Sequence, residues 1–388
     1  MKKAKILILI LLLFMVETVK VKAKESNGYG DSLDIEAKYA VLLDYDTMDI
    51  LYKKNMNEIT APSSTTKLMT AYIIFDLLEE NKINLNDKFK VSIRAWRQEG
   101  TRMFLEPEWK ISVDELLKGL IIVSGNDAAV VLAEGAAGNI DDFVVLMNKK
   151  AKELGMENTN FVNPNGLYEK NHFMSVYDLG LLSRALIKNH RKYYKRYFSQ
   201  KSYSFNNISQ KNRNWLLEEY EGADGLKTGF TDYGKYSVSA SAIRHGKRLI
   251  AVVNGADSER SRINQAKRLL DYGFSNYSYI DLYKSADTVG EVSVLFGKNK
   301  KVYAYTKEDI SYAAKKEDVG NLKVKFVSNK YLQAPIKRDT KIAEIHIIDG
   351  NYTKKFDLFA EDDVEVATKF RKIKSLFLYN SKKLVGIE

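Results

Sequence analysis

Three short strings in this sequence hold residue types that can transfer an acyl group: Ser64-Thr65-Thr66-Lys67, Ser124-Gly125-Asn126 and Lys227-Thr228-Gly229. The first sets a hydroxyl one helical turn from an amine, and an amine that has lost its proton can serve as base for that hydroxyl. The second adds another hydroxyl and an amide, and the third a cation beside a hydroxyl and a glycine. Each string arises easily by chance. Together, in this order and roughly 60 and roughly 100 residues apart, they describe one serine acyl-transfer site.

The elements around them must bring them together. Pro62 and Ser63 signal a helix start, and from Ser64 to about Glu80 the apolar Leu68, Met69, Tyr72, Ile73, Ile74, Leu77 and Leu78 cover most of a helix surface. Such a helix belongs inside. Ser64 then sits in the first turn, where unpaired N–H groups and the helix dipole favour negative charge on its oxygen. Lys67 shares its face, and burial near a second cation should strip that amine of its proton. Alone, the string reads equally as a helix cap and a solvated lysine; the other two strings decide for chemistry.

Asp114 to Val123 and Asp127 to Glu134 read as two helices with Ser124-Gly125-Asn126 in the loop between. From there Ser124 could relay a proton to a leaving amine, while Asn126 could orient Lys67 and bond a substrate amide. Simple helix capping is the plainer reading of both. Lys38 to Tyr45 and Asp49 to Lys53 alternate around Asp46-Thr47-Met48, and Tyr236 to Ile243 and Lys247 to Val253 form a second hairpin. Leu226 to Thr231 reads as an adjoining strand at a sheet rim. Gly229 would let another backbone approach that rim, Lys227 and Thr228 could hold a carboxylate, and the Phe230 N–H could join the Ser64 N–H at an oxyanion. A basic edge strand that discourages aggregation is the plainer reading here.

Composition limits the alternatives. The chain has 388 residues, 45% of them hydrophobic and 29% charged, enough to bury a full core. Lys2, Lys3 and Lys5 precede an unbroken apolar run from Ile6 to Val16, and Val21-Lys22-Ala23 offers a small residue for cleavage. Residues 1–23 therefore read as an export signal, too short in its apolar run for a membrane span. Removing it takes five Lys and one Glu from the formal +11, leaving a mild positive charge that suits an anionic envelope. No nucleic-acid motif accompanies that charge. With four His and no Cys, a three-ligand zinc site is hard to assemble; no metal, cofactor or phosphate-binding loop is expected.

The strings in context are Ala61-Pro62-Ser63-Ser64-Thr65-Thr66-Lys67-Leu68-Met69-Thr70, Ser124-Gly125-Asn126-Asp127-Ala128-Ala129 and Asp224-Gly225-Leu226-Lys227-Thr228-Gly229-Phe230-Thr231. This chain resembles the low-molecular-mass penicillin-binding proteins, serine-type D-alanyl-D-alanine carboxypeptidases of the S11 peptidase type. Met147-Asn148, Leu154-Gly155-Met156, Asn163-Pro164-Asn165-Gly166-Leu167 and Asp271-Tyr272-Gly273-Phe274 extend the likeness over roughly residues 35–280. The resemblance implies that Ser64 is acylated by a stem peptide of peptidoglycan, that Lys67 accepts its proton, and that Ser124 and Lys227 assist departure of the terminal D-Ala. It also implies that Asn126 holds the substrate amide, that Lys227 and Thr228 hold the carboxylate, and that β-lactams acylate the same serine. Arg262 is a further candidate for the carboxylate, with a solvated helix-end arginine as the alternative. Two departures stand out: Asp46-Thr47-Met48-Asp49 lacks the family's frequent turn glycine, which concerns only a hairpin, and Phe230 replaces a frequent His or Tyr.

The expected fold is α/β in the α+β sense, about five antiparallel strands flanked by helices with a helical subdomain, then a small all-β domain. Its units are residues 1–23, 24–280, 281–362 and 363–388. Runs Val289 to Tyr305, Asn321 to Val327, Lys341 to Ile348 and Tyr352 to Phe359 supply the β domain, and Gln333-Ala334-Pro335-Ile336 carries the resemblance into it. Val364 to about Tyr379 has the pattern of a short basic amphipathic helix that could touch a membrane, or pack on the β domain. Rival activities remain. A serine β-lactamase would need fast deacylation, and no Glu-x-x-Leu-Asn string lies between Asn126 and Lys227. A D,D-transpeptidase differs only in the acceptor, and a non-catalytic peptidoglycan-binding protein would keep the scaffold without the reaction.

Overall fold

The computed structural model describes residues 33–368. The expected export signal and most of the expected tail helix lie outside the described residues.

Five antiparallel strands form the central sheet: β1 (Tyr39–Asp44), β2 (Ile50–Lys54), β3 (Ala223–Thr231), β4 (Lys235–Arg244) and β5 (Lys247–Ala256). Their spatial order is β2-β1-β5-β4-β3, so β3 is an edge strand. All six residues of β1 are buried, and that follows from cover on both faces. Val41, Leu43, Ile250 and Val252 point into one core with helices α1 (Lys67–Glu79), α2 (Val113–Lys118), α3 (Asn126–Ala137) and α4 (Val176–Asn189). Ala40, Leu42, Ala251 and Val253 point into the other, against Ile263, Ala266, Leu269 and Leu270 of helix α5 (Glu259–Asn276).

Helix α1 is the hub of the first core. Residues Lys67 to Phe75 are all buried, as its all-round apolar surface requires. A 3-10 turn, Ser63–Thr66, leads into it from Pro62. The expected helix from Asp114 to Val123 is α2 running on into a π-helical turn, Gly119–Val123, which stops at Ser124.

The later part of the chain is β-rich. Strands β6 (Tyr277–Tyr283) and β9 (Ile310–Lys315) pair with each other. A six-stranded sheet combines β7 (Thr288–Leu295), β8 (Lys301–Tyr305), β10 (Lys323–Ser328), β11 (Tyr331–Gln333), β12 (Lys341–Asp349) and β13 (Tyr352–Ala360) in the order β10-β12-β13-β8-β7-β11. The run from Val289 to Tyr305 is thus two strands rather than one. Val364 does not begin a helix: it bridges Ile336, and Val366 bridges Gly297, so this segment is extended along the sheet domain.

One expectation is corrected by the way this sheet domain is attached. The Asp46-Thr47-Met48-Asp49 turn is more than a hairpin tip, because Asp49 Oδ1 accepts from Lys354 Nζ at 2.7 Å and Thr47 O accepts from the same amine at 2.8 Å. Asp49 Oδ2 also accepts from Ala313 N at 3.3 Å, and the Tyr277 hydroxyl donates to Leu51 O at 2.9 Å. A carboxylate at position 49 is therefore useful in a way that a turn glycine is not.

Candidate active site

The nucleophile candidate stands on a short, strained entry to α1. Ser63 has a φ of +53°, in the left-handed region that costs a β-substituted residue of order 1 kcal/mol. Its surroundings hold it there. Ser63 Oγ bonds Thr231 Oγ1 at 3.0 Å, and Gly166, at φ +84°, packs so tightly that a Cβ would come 1.8 Å from Ser63 O. Ser64 follows in the first turn, where N–H groups lack intrahelical acceptors.

Lys67 is 1% exposed, and its Nζ lies 3.0 Å from Ser64 Oγ, 2.7 Å from Asn126 Oδ1 and 2.6 Å from the Asn165 carbonyl oxygen. Burial pushes its pKa down to about 7, against a smaller opposing pull from Asp127. An amine so placed is close to half uncharged at neutral pH.

Asn126 begins α3 and is held by loop 97–106. Its Nδ2 donates to Glu99 O at 2.6 Å and its backbone N–H to Thr101 O at 2.7 Å. Asp127 fixes the same loop, accepting from Met103 N at 2.9 Å and Leu105 N at 3.2 Å. Ser124 precedes it in the left-handed conformation at φ +66°, with its carbonyl accepting from Thr101 Oγ1 at 2.6 Å. The turn that aims Ser124 is thus conformationally specific rather than a loose connection.

Edge strand β3 forms the facing wall. A Cβ on Gly229 would lie 2.6 Å from Ser237 Oγ, 2.9 Å from Ser63 Cβ and 3.1 Å from Ser64 N, so only glycine lets this strand run alongside the nucleophile. Lys227 and Thr228 are 3% and 4% exposed, and Lys227 Nζ donates to Thr228 O at 3.0 Å. Burial, then the nearby Lys67, Arg262 and Arg213 cations, hold the Lys227 pKa well below the usual lysine value. An arriving carboxylate would reverse that bias. Arg262 is buried, not solvated; its Nη1 donates to Gly229 O at 3.2 Å, and burial lowers its pKa to about 10. It remains a cation at neutral pH and lies behind β3. The Phe230 ring is 47% exposed and sits 4.4 Å from the Tyr236 ring, outside this cluster.

The structure thus joins Ser64, Lys67 and Asn126 by direct contacts and groups Lys227, Gly229 and Arg262 along one wall. Ser124 Oγ and Thr228 Oγ1 make no hydrogen bond to the others among the described residues. Sequence reasoning missed Asn165, whose carbonyl is one of the three neighbours of the Lys67 amine. It also missed His172, whose Nδ1 accepts from Val162 N at 3.0 Å, leaving Nε2–H to donate to Thr66 Oγ1 at 2.8 Å. Burial and the Lys67 charge push the His172 pKa down to about 4, which keeps the ring neutral. The Asn163-Pro164-Asn165-Gly166 turn signal was the available clue to this loop; Pro164 O even takes a 2.6 Å bond from Thr70 Oγ1 on α1.

Comparison with known proteins fits this geometry. A family model described as D-alanyl-D-alanine carboxypeptidase, Peptidase S11, matches residues 21–258, and one for the penicillin-binding protein 5 C-terminal domain matches residues 277–366. The chain is 39% identical over 351 residues to D-alanyl-D-alanine carboxypeptidase DacF of Bacillus subtilis, covering 89% of this chain and 90% of that one. It is 36% identical to DacD of Escherichia coli over 324 residues, 81% of this chain and 83% of the relative. Among solved structures, penicillin-binding protein 5 from Haemophilus influenzae superposes with a TM-score of 0.82 at 33% identity, covering 86% of this chain and 98% of that one. The chain belongs to the S11 peptidase family of D-alanyl-D-alanine carboxypeptidases.

Proposed function

We propose that this protein removes the terminal D-Ala from peptidoglycan stem peptides as a serine-type D-alanyl-D-alanine carboxypeptidase, and that penicillins acylate the same serine. The observation that carries the reading is the buried Lys67 amine, 3.0 Å from Ser64 Oγ and ringed by two further acceptors. An uncharged amine has two N–H bonds for Asn126 Oδ1 and Asn165 O, which leaves its lone pair for the Ser64 proton.

In this reading Ser64 Oγ attacks the carbonyl carbon of the penultimate D-Ala as Lys67 takes the hydroxyl proton. The Ser64 and Phe230 N–H groups hold the oxyanion. The C–N bond to the terminal D-Ala then breaks, with Ser124 passing a proton to the leaving amine. Water hydrolyses the Ser64 ester and releases the shortened peptide. Asn126 holds the substrate amide, while Lys227 and Thr228 receive the terminal carboxylate and Arg262 adds positive charge from behind Gly229. Lys227 takes up a proton as that carboxylate binds, because the arriving charge offsets both its burial and its cationic neighbours.

Residues 24–280 carry this chemistry, and residues 281–362 hold the catalytic unit relative to the envelope. The protein acts outside the cytoplasm, a placement supported by the basic and apolar pattern of residues 1–23. The basic end from 369 to 388 lies outside the described residues and enters no step.

The test is intact mass after exposure to a labelled penicillin, with the adduct mapped to the tryptic peptide 55–67. Ser64→Ala should lose both the adduct and D-Ala release from a pentapeptide. An adduct elsewhere, or D-Ala release that survives the substitution, refutes the reading. Fast turnover of the penicillin in place of a lasting ester would mark a β-lactamase instead.

A further inference from the structure

From Leu179 to Leu217 the sequence holds nine Lys and Arg and no Asp or Glu. With residues 1–23 set aside, the chain's +11 less five Lys and one Glu leaves +7, so everything outside this stretch sums to −2. The excess positive charge is local.

The structure gathers much of it on one face. The helix Arg191–Tyr197 follows α4 after a single residue, His190. Its Tyr193, Tyr194 and Tyr197 are buried, as is Phe198, and Phe75 of α1 stacks on the Tyr193 ring at 4.9 Å. Arg191, Lys192, Lys195 and Arg196 are left exposed on the other side, and Lys188 is exposed in the last turn of α4. This arrangement works against the helix. Arg191 and Lys192 occupy its first turn, where the dipole favours anions, and Arg191–Lys195 and Lys192–Arg196 set like charges one turn apart. The carboxylates that meet this segment are engaged: Asp114 accepts from Arg196 and Tyr197, Asp224 from Tyr194 and Arg248, and Asp76 and Glu79 face the buried His190. Lys188, Arg191, Lys192 and Lys195 make no ion pair among the described residues.

Such a face reads charge and little else. Neither this helix nor the residues beside it expose a large apolar side chain, so it offers no wedge for a bilayer and no stacking platform for bases. What it suits is a flexible polyanion without an apolar part, a phosphodiester chain whose successive charges can meet successive helical turns.

We propose that Lys188, Arg191, Lys192 and Lys195 form a docking face for a linear polyol-phosphate polymer of the envelope, which retains the protein there by charge. The inference rests on placement outside the cytoplasm and not on the reaction. The face is separate from the cleft, since none of these four cations contacts Ser64, Lys67 or Lys227 among the described residues.

The test is calorimetric titration of the protein with poly(glycerol phosphate) at several salt concentrations. A variant carrying Lys188→Gln, Arg191→Gln, Lys192→Gln and Lys195→Gln is set against one that loses four exposed lysines of the sheet domain, Lys323→Gln, Lys325→Gln, Lys330→Gln and Lys355→Gln. The first should bind about thirtyfold more weakly and lower the log–log salt slope by about three, while the second stays within about threefold of wild type. The pair Lys192→Gln, Lys195→Gln should give about half of that change in slope. The thermal midpoint of the fourfold helix variant should not fall, because the substitutions remove repulsion. Equal weakening by the two fourfold variants, or no saturable binding by the wild type, overturns the proposal. So does binding to phosphatidylglycerol vesicles that matches the polymer at equal phosphate and is lost in the helix variant, which would mark a membrane face instead.

Discussion

Acylation by a penicillin should follow the charge state of Lys67. Burial without a full compensating anion brings this amine down to about 7, so roughly half of the molecules hold it uncharged at neutral pH. An ordinary lysine would be uncharged in roughly one molecule in a few thousand at that pH. The acylation rate constant should therefore rise with pH through about 7 and fall about tenfold per unit on the acid side, where a proton occupies the lone pair. Stopped-flow measurement with a fluorescent penicillin from pH 5 to 9 gives the profile. Lys67→Arg places a permanent cation beside Ser64 and should cost about a thousandfold at pH 7. Asp127→Asn removes the negative charge that opposes the shift and should move the midpoint to lower pH. A flat profile, a midpoint above about 9, or Lys67→Arg within tenfold of wild type would each refute the reasoning.

Gly229→Ala should cut acylation by about a hundredfold, because its Cβ would press Ser237 Oγ, Ser63 Cβ and Ser64 N; gel labelling over time measures this. Gly166→Ala combines a φ of +84° with a 1.8 Å clash against Ser63 O and should destabilise by about 3 kcal/mol, read by urea denaturation. His172 has a folded pKa of about 4, below that of the free side chain, so its contribution is present above about pH 6.5 and is lost as pH falls through 4. Unfolding free energies at pH 7 and pH 4 should show wild type losing roughly 3 kcal/mol more than His172→Gln; equal losses would contradict the assignment. Lys354→Ala removes the partner of Asp49 and should lower cooperativity between the two units in calorimetry while leaving penicillin acylation within twofold.

The parts of the fold that alternate or repeat at helical spacing were readable in advance, because burial imposes its period directly on residue type. The β1–β2 hairpin, the apolar α1 and the β4–β5 hairpin are of this kind, and Ser64 with Lys67 could be placed on α1 for the same reason. What stayed hidden depends on backbone atoms or on distant partners. The third neighbour of the Lys67 amine is a carbonyl oxygen of Asn165, and every residue type offers one. His172 gave no local sign of its task, which is to brace Thr66 and Val162 across the chain. Arg262 looked like a helix-end charge because its helix start was legible, whereas its burial behind β3 was set by the sheet. Asp49 appeared to be an ordinary turn residue, since its partner Lys354 lies some 300 positions away.

That attachment of the sheet domain has a physical corollary. The β1–β2 turn belongs to the far side of a five-strand sheet from β3, three to four interstrand spacings or roughly 14–19 Å off. Between solvent-exposed charges such a separation exceeds the screening length of roughly 8 Å at physiological salt, so surface charges of the appended domain act only weakly on the β3 edge. The appended domain grips the sheet by the opposite margin, and among the described residues none of its groups hydrogen-bonds to β3.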